Sequence, residues 1–180
     1  MTGTTGKNGA MIAMRRPSGR PSREELRGLQ AALGHRAAAL AWGRGQELLA
    51  VATRGHLAVA ERGTWRVIAW DDILSGAWRE DDATLRWMLI DGSGRTIQLE
   101  NSGELPGVFM ERVQASILVQ ERVPVLGGRG EIIVSGRRNP TGGGELRWMV
   151  QPLGSTDLSD PRVQQVAIAE TEHLRREYEP

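Results

Sequence analysis

Cysteine is absent from the 180 residues. That excludes a disulfide framework, thiolate metal sites and cysteine nucleophiles. Lysine occurs once, as Lys7, among 23 lysines and arginines; we read the skew as a mark of GC-rich coding rather than of a recognition task. Net charge is +1. No overall field therefore draws the chain to nucleic acid or to an anionic membrane, and binding of that kind needs a local patch. Long apolar runs are missing too. None approaches the ~20 residues of a membrane-spanning helix, and the patch Ala10 to Met14 is only about half of a secretory h-region. We expect a cytoplasmic protein. Phe and Tyr occur once each, against six tryptophans. Tryptophan is thus the bulky core filler here, and each buried indole N–H needs an acceptor.

Patterning divides what is present. Residues 1–21 carry Gly, Thr, Ser, Pro and Arg without periodicity and read as a disordered tail. Ser22 and Glu25 form a capping box ahead of Leu26, Leu29 and Leu33, which predicts a helix over 22–33 closed by Gly34. From His35 the period drops to two. Short strands follow over 38–42, 47–53, 56–61, 65–70, 73–80, 85–90 and 95–100, separated by Gly- or Asp-containing turns. Pro106, then Val108, Phe109, Val113 and Ile117, predict a helix that runs to about Arg122, where Pro124 stops it. Residues 131–138 and 145–152 read as a strand pair joined by an exposed loop, Asn139 to Gly144. Asp160 and Pro161 open a last helix over 160–178. The expected fold is α+β and mainly β. Residues 22–180 form one domain: the short helix, a core over 37–122, and a C-terminal hairpin and helix over 123–178.

That order is a curved antiparallel sheet or barrel of about seven strands capped by a helix. It resembles the bacterial pleckstrin-homology-like (PH-like) domains. The resemblance is carried by Ala69-Trp70-Asp71-Asp72-Ile73, by Ala77-Trp78, by the alternation from Leu85 to Gly92, and by the helix opening at Leu105-Pro106. It covers roughly 40–122. Taken whole, the chain resembles an actinobacterial protein family, which implies a fold and no activity. The PH-like superfold serves lipid, peptide and protein binding, so a fold of this kind does not choose among them.

No catalytic motif assembles. Gly3 to Asn8 is too short for a phosphate loop, and Gly92-Ser93-Gly94 lacks the third glycine, whose place is Ile97. His35, His56 and His173 have no ligand spacing, so no metal site is expected. Ser116 lies mid-helix in this reading, away from any sharp nucleophile turn. Asp71, Asp72, Asp81 and Asp82 fall at strand ends, where turn acidity is the plainer reading than acid–base or metal chemistry. Arg15, Arg16, Arg20 and Arg23 cluster without interleaved aromatics, so nucleic acid is disfavoured.

One cationic group stands out. Arg129, Arg137, Arg138 and Arg147 gather at the C-terminal hairpin beside the flexible loop. Guanidinium geometry suits phosphate or carboxylate. Neighbouring strand residues face opposite sides, so at most one of Arg137 and Arg138 joins a given patch. The bland alternative is a solvated hairpin whose charge discourages edge pairing. The expected function is a non-enzymatic binding module, without cofactor, for a protein or peptide partner. A sheet edge or the groove beside the helix at 105–122 would receive that partner. The alternative is peripheral membrane or anionic-ligand binding through the four arginines. The hairpin and last helix are expected to pack within the chain, and a homodimer stays open.

Overall fold

The computed structural model describes residues 19–125, 127 and 130–179. Most of the expected tail, residues 1–18, lies outside the described residues, as does Arg129. Gly19 and Arg20 are tied down, since Arg44 donates from Nε and Nη2 to their carbonyls. The fold is α+β and mainly β. Its described residues hold three α-helices and ten strands rather than about seven, in three antiparallel sheets with no closed barrel.

The first helix, α1 (Arg23–Leu33), starts and stops as its sequence dictates. The Ser22 hydroxyl accepts from Glu25 N, Glu25 Oε2 accepts from Ser22 N, and Gly34 adopts φ 73° at the C-cap. Its apolar stripe lies on the first sheet, ordered β1 (Ala41–Gly45), β2 (Leu48–Ala52), β3 (His56–Glu61) and β4 (Thr64–Ala69). Leu29 packs there with Leu49, Val51, Ala58 and Ala60, flanked by Trp42 and Trp65. Gly28 is where the helix approaches closest, because a Cβ there would press on the Trp65 indole. The opposite face of the same sheet turns Ala50, Ala52, Leu57, Val59 and Ile68 into the main core. Covered on both faces, β2 and β3 read as nearly continuous apolar runs instead of alternating.

A 3-10 turn at Trp70–Asp72 carries the chain to a second sheet, ordered β5 (Ile73–Arg79), β6 (Thr84–Leu89) and β7 (Gly94–Gln98). Its inner face gives Ile73, Leu85, Trp87 and Ile97 to the main core. The two sheets meet at one corner, where Arg44 and Asn101 exchange backbone hydrogen bonds of 2.7 and 3.0 Å. The helix α2 (Leu105–Ala115) closes the core with Leu105, Phe109 and Val113. Phe109 stands edge-on to Trp70 at 5.8 Å between ring centroids. The Trp70 indole N–H finds its acceptor in Thr53 O at 3.0 Å. Gly76 is required opposite that ring, since a Cβ there would overlap Phe109.

The helix expected to reach Arg122 ends at Ala115. Residues 117–124 form a strand instead, β8 (Ile117–Pro124). Helical spacing of Val113, Ile117 and Gln120 misled the expectation. Ser116 caps the helix through its amide and by donating from Oγ to Val113 O at 2.7 Å. Beyond it, Val119 and Val123 point to one side while Gln120 and Arg122 alternate outward, and β9 (Glu131–Arg137) supplies the partner. With β10 (Arg147–Leu153) these make a third sheet, ordered β10-β9-β8, separate from the other two. The last helix, α3 (Pro161–Tyr178), is capped by Asp160 and covers one face of that sheet. Val163, Ala167 and Leu174 pack on Val119, Ile132 and Val134, with Trp148 and Val150 at the margin, as a second core. None of the helices among the described residues is long and apolar enough to cross a membrane.

Candidate functional site

The four arginines singled out in the sequence do not form one surface. Arg129 lies outside the described residues. Arg137, on β9, is buried with 3% of its surface exposed. Its Nη1 donates to Ile73 O at 2.7 Å and to Ser116 Oγ at 3.3 Å, and its Nη2 donates to Leu74 O at 2.9 Å. The guanidinium therefore ties the third sheet to the start of β5. Burial pushes its pKa below the ordinary guanidinium value, while the charge of Asp71 acts against that. Arg138 faces solvent, the opposite exposure expected for neighbouring strand residues. Arg147 is half-exposed and pairs with Asp72 and, at 3.6 Å, with Asp71.

The remaining sequence candidates fall into structural roles around the same junction. Asp71 also accepts from Asn139 Nδ2 at 3.3 Å, and that amide donates to Gly55 O at 2.8 Å. The first half of the loop expected to be exposed is thus docked on the β2–β3 turn, and Thr141 to Gly144 remain exposed. Asp82 pairs with Arg79 and accepts from Thr84 Oγ1, and these contacts pull its pKa down to about 2. Asp81 is exposed at the same turn. Ser116 is buried as the helix cap and a partner of Arg137. Among the described residues no group of three or more His, Asp or Glu side chains is placed to hold a metal ion.

A different surface emerges from the topology. The outer face of the first sheet is filled by α1, and one face of the third sheet by α3. The outer face of β5-β6-β7 has no helix on it among the described residues. Register places three cross-strand rows there: Ser75, Met88 and Gly94; Ala77, Arg86 and Thr96; Arg79, Thr84 and Gln98. A groove of about 460 Å³ runs over the first two rows, with Arg95 and the backbone of Gly76 and Trp87 at its margins. Its floor is small side chains, interrupted by Met88, which is 44% exposed, and by Arg86. Arg86 has no ion-pair partner among the described residues, whereas Arg95 pairs with Glu61.

The groove ends at an unpaired strand. β7 has β6 on one side and no laddered strand on the other among the described residues, and only its end at Gln98 lies against Gly45 of β1. Leu89 N donates to Ser93 O at 2.8 Å and Leu99 N to Ala83 O at 2.9 Å. Alternation along an antiparallel ladder then turns the backbone groups of Gly94 and Thr96 away from β6, toward the open side. Such an edge offers backbone donors and acceptors to an extended chain. The sequence identified these strands without revealing which face stays bare. The usable sign was a count of covers: α1 and α3 each carry one apolar stripe, and α2 is needed to close the core.

Compared with known proteins, the chain matches no family model, no curated protein and no solved structure.

Proposed function

We propose that the protein is a non-enzymatic binding module of PH-like architecture that receives an extended peptide segment of a partner protein. The peptide would add beside β7, with side chains passing over Gly94 and Thr96 toward Met88 and Arg86 on β6. What supports the architectural reading is a four-stranded and then a three-stranded antiparallel sheet followed directly by a closing helix. What carries the functional reading is the bare outer face of β5-β6-β7, ending at an unpaired edge. Backbone hydrogen bonds would supply affinity, while Met88 and Arg86 would select an apolar side chain and an acidic one. The arginine alternative has less to stand on, because Arg137 and Arg147 are engaged within the fold.

Selection of displayed random peptides on the full-length protein tests the proposal. Met88→Glu and Thr96→Pro serve as counter-targets. Proline at 96 removes a donor that faces the open side and leaves the β6 ladder intact. The expected result is enrichment of extended sequences with an apolar and an acidic residue two apart, lost on both variants. Affinity should fall only modestly with added salt, since one exposed charge pair is all that screening can weaken. Failure to enrich any sequence, or equal recovery on the variants, counts against the proposal.

A further inference from the structure

A second cavity, of about 370 Å³, opens where the segment before β1, the β2–β3 turn and the loop after β9 converge. His35, Arg36, Arg54, His56 and Thr141 supply its polar groups, and Leu40 with Ala37 and Ala38 its apolar wall. Among the described residues no carboxylate lines it. Arg36 and Arg54 are exposed, and neither has a hydrogen-bond or ion-pair partner among the described residues. The turn that presents Arg54 is held at both ends. Thr53 Oγ1 accepts from His56 N and donates to His56 O, each at 3.0 Å, and Gly55 O accepts from Asn139. The two imidazoles sit 6.3 Å apart. His35 Nδ1 lies 3.0 Å from Leu33 O, an arrangement that places its proton there and leaves Nε2 for the cavity. The half-buried His56 ring has no hydrogen-bond partner among the described residues.

Four nitrogen-bearing side chains thus meet at a concave site that holds no negative group of its own. Burial and then the neighbouring His35 lower the His56 pKa, against Asp71 and Asp72, the charges beyond the cavity, which favour its charged form. Both carboxylates are engaged by Arg147. We propose that this cavity binds a small soluble phosphomonoester. The two guanidinium groups would take its oxygens, the imidazoles would donate to them once protonated, and the carbon part would rest on Leu40. Planar guanidinium donors and a phosphate match in geometry as well as charge. An apolar wall beside the cations suits an organic ester better than inorganic phosphate. This site shares no residue with the groove on β5-β6-β7, so failure of either proposal leaves the other standing.

Calorimetric titration of the full chain with phenyl phosphate at low salt tests it, with phenol as the uncharged control. One saturable site is expected for phenyl phosphate and none for phenol. Arg36→Gln with Arg54→Gln should weaken binding by about tenfold or more, the loss expected for charge-assisted hydrogen bonds. Arg162→Gln, on the far helix, should leave it unchanged. Burial holds the His56 pKa below the ordinary imidazole value, so the parent should gain affinity over His56→Gln as pH falls below neutrality, a comparison that cancels the ester's own second ionisation near about 6. No saturation with phenyl phosphate, or equal affinity for the arginine variant and the parent, overturns the proposal. So does binding to phosphatidic acid vesicles without binding to phenyl phosphate, which would assign the cations to a membrane surface.

Discussion

Arg137→Met exchanges a buried cation for an apolar side chain of similar length. It removes donors to Ile73 O, Leu74 O and Ser116 Oγ at 2.7, 2.9 and 3.3 Å. Hydrogen bonds from a charged donor contribute about 1.5–3 kcal/mol each, and carbonyls left buried without partners cost about 1–3 kcal/mol. Against this, the substitution relieves the several kcal/mol that desolvating a buried ion costs. The balance is a loss of about 2–4 kcal/mol, which at about 2–4 °C per kcal/mol lowers the midpoint by about 5–15 °C. Tryptophan fluorescence in a urea titration and in a thermal ramp reads both quantities. Arg137→Lys should recover only part of the loss, since a single ammonium lacks the planar fork that meets two neighbouring carbonyls. The contacts also join the two cores, so residues 22–180 should unfold together in the parent. In Arg137→Met the third sheet should exchange its amides earlier than β1–β7. A midpoint within about 1 °C of the parent, or a rise of the size seen when buried ion pairs are replaced by apolar groups, would refute the clamp.

Other perturbations follow from the same geometry. Glu25 is held down to about 2, chiefly by its hydrogen bond from Arg44 and against the effect of burial. Its folded pKa lies below its ordinary one, so the contribution is full at neutral pH and fades as pH falls from about 4.5 toward about 2. Glu25→Gln keeps a capping acceptor and should cost about 1–2 kcal/mol at neutral pH after allowance for solvent screening. The gap to the parent should close in acid, and a gap constant down to about pH 2 would exclude the charge as its cause. Gly76→Ala places a Cβ on the buried Phe109 ring. It should destabilise by about 1–3 kcal/mol as an overpacking change, and Phe109→Leu should relieve part of it in a double-mutant cycle.

Local chemistry made much of the fold legible. The caps at Ser22, Gly34 and Asp160 act through backbone groups within a few residues, so the sequence states them in full. The strands from Thr64 to Gln98 follow from period-two patterning and turn residues, and β2 and β3 from short apolar runs bounded by turns. Ile117 to Pro124 was misread because its apolar residues satisfy a helical spacing as well, and the choice was made by β9, a partner distant in sequence. The arginine cluster shows the same limit. Arg137 and Arg138 look alike in sequence, and only the docking of β9 on β5 buries one and exposes the other. The grouping of His35, Arg36, Arg54 and His56 depends on a helix end meeting a hairpin turn, so no spacing rule could find it.

Amide hydrogen exchange on the full chain, with and without a peptide selected on it, bears most directly on the claim that the β5-β6-β7 face is a binding surface. Slowed exchange at Gly94 and Thr96, with β1–β4 unchanged, is the predicted outcome. Protection confined to β8–β10 or to α3, with β7 exchanging as before, would contradict it.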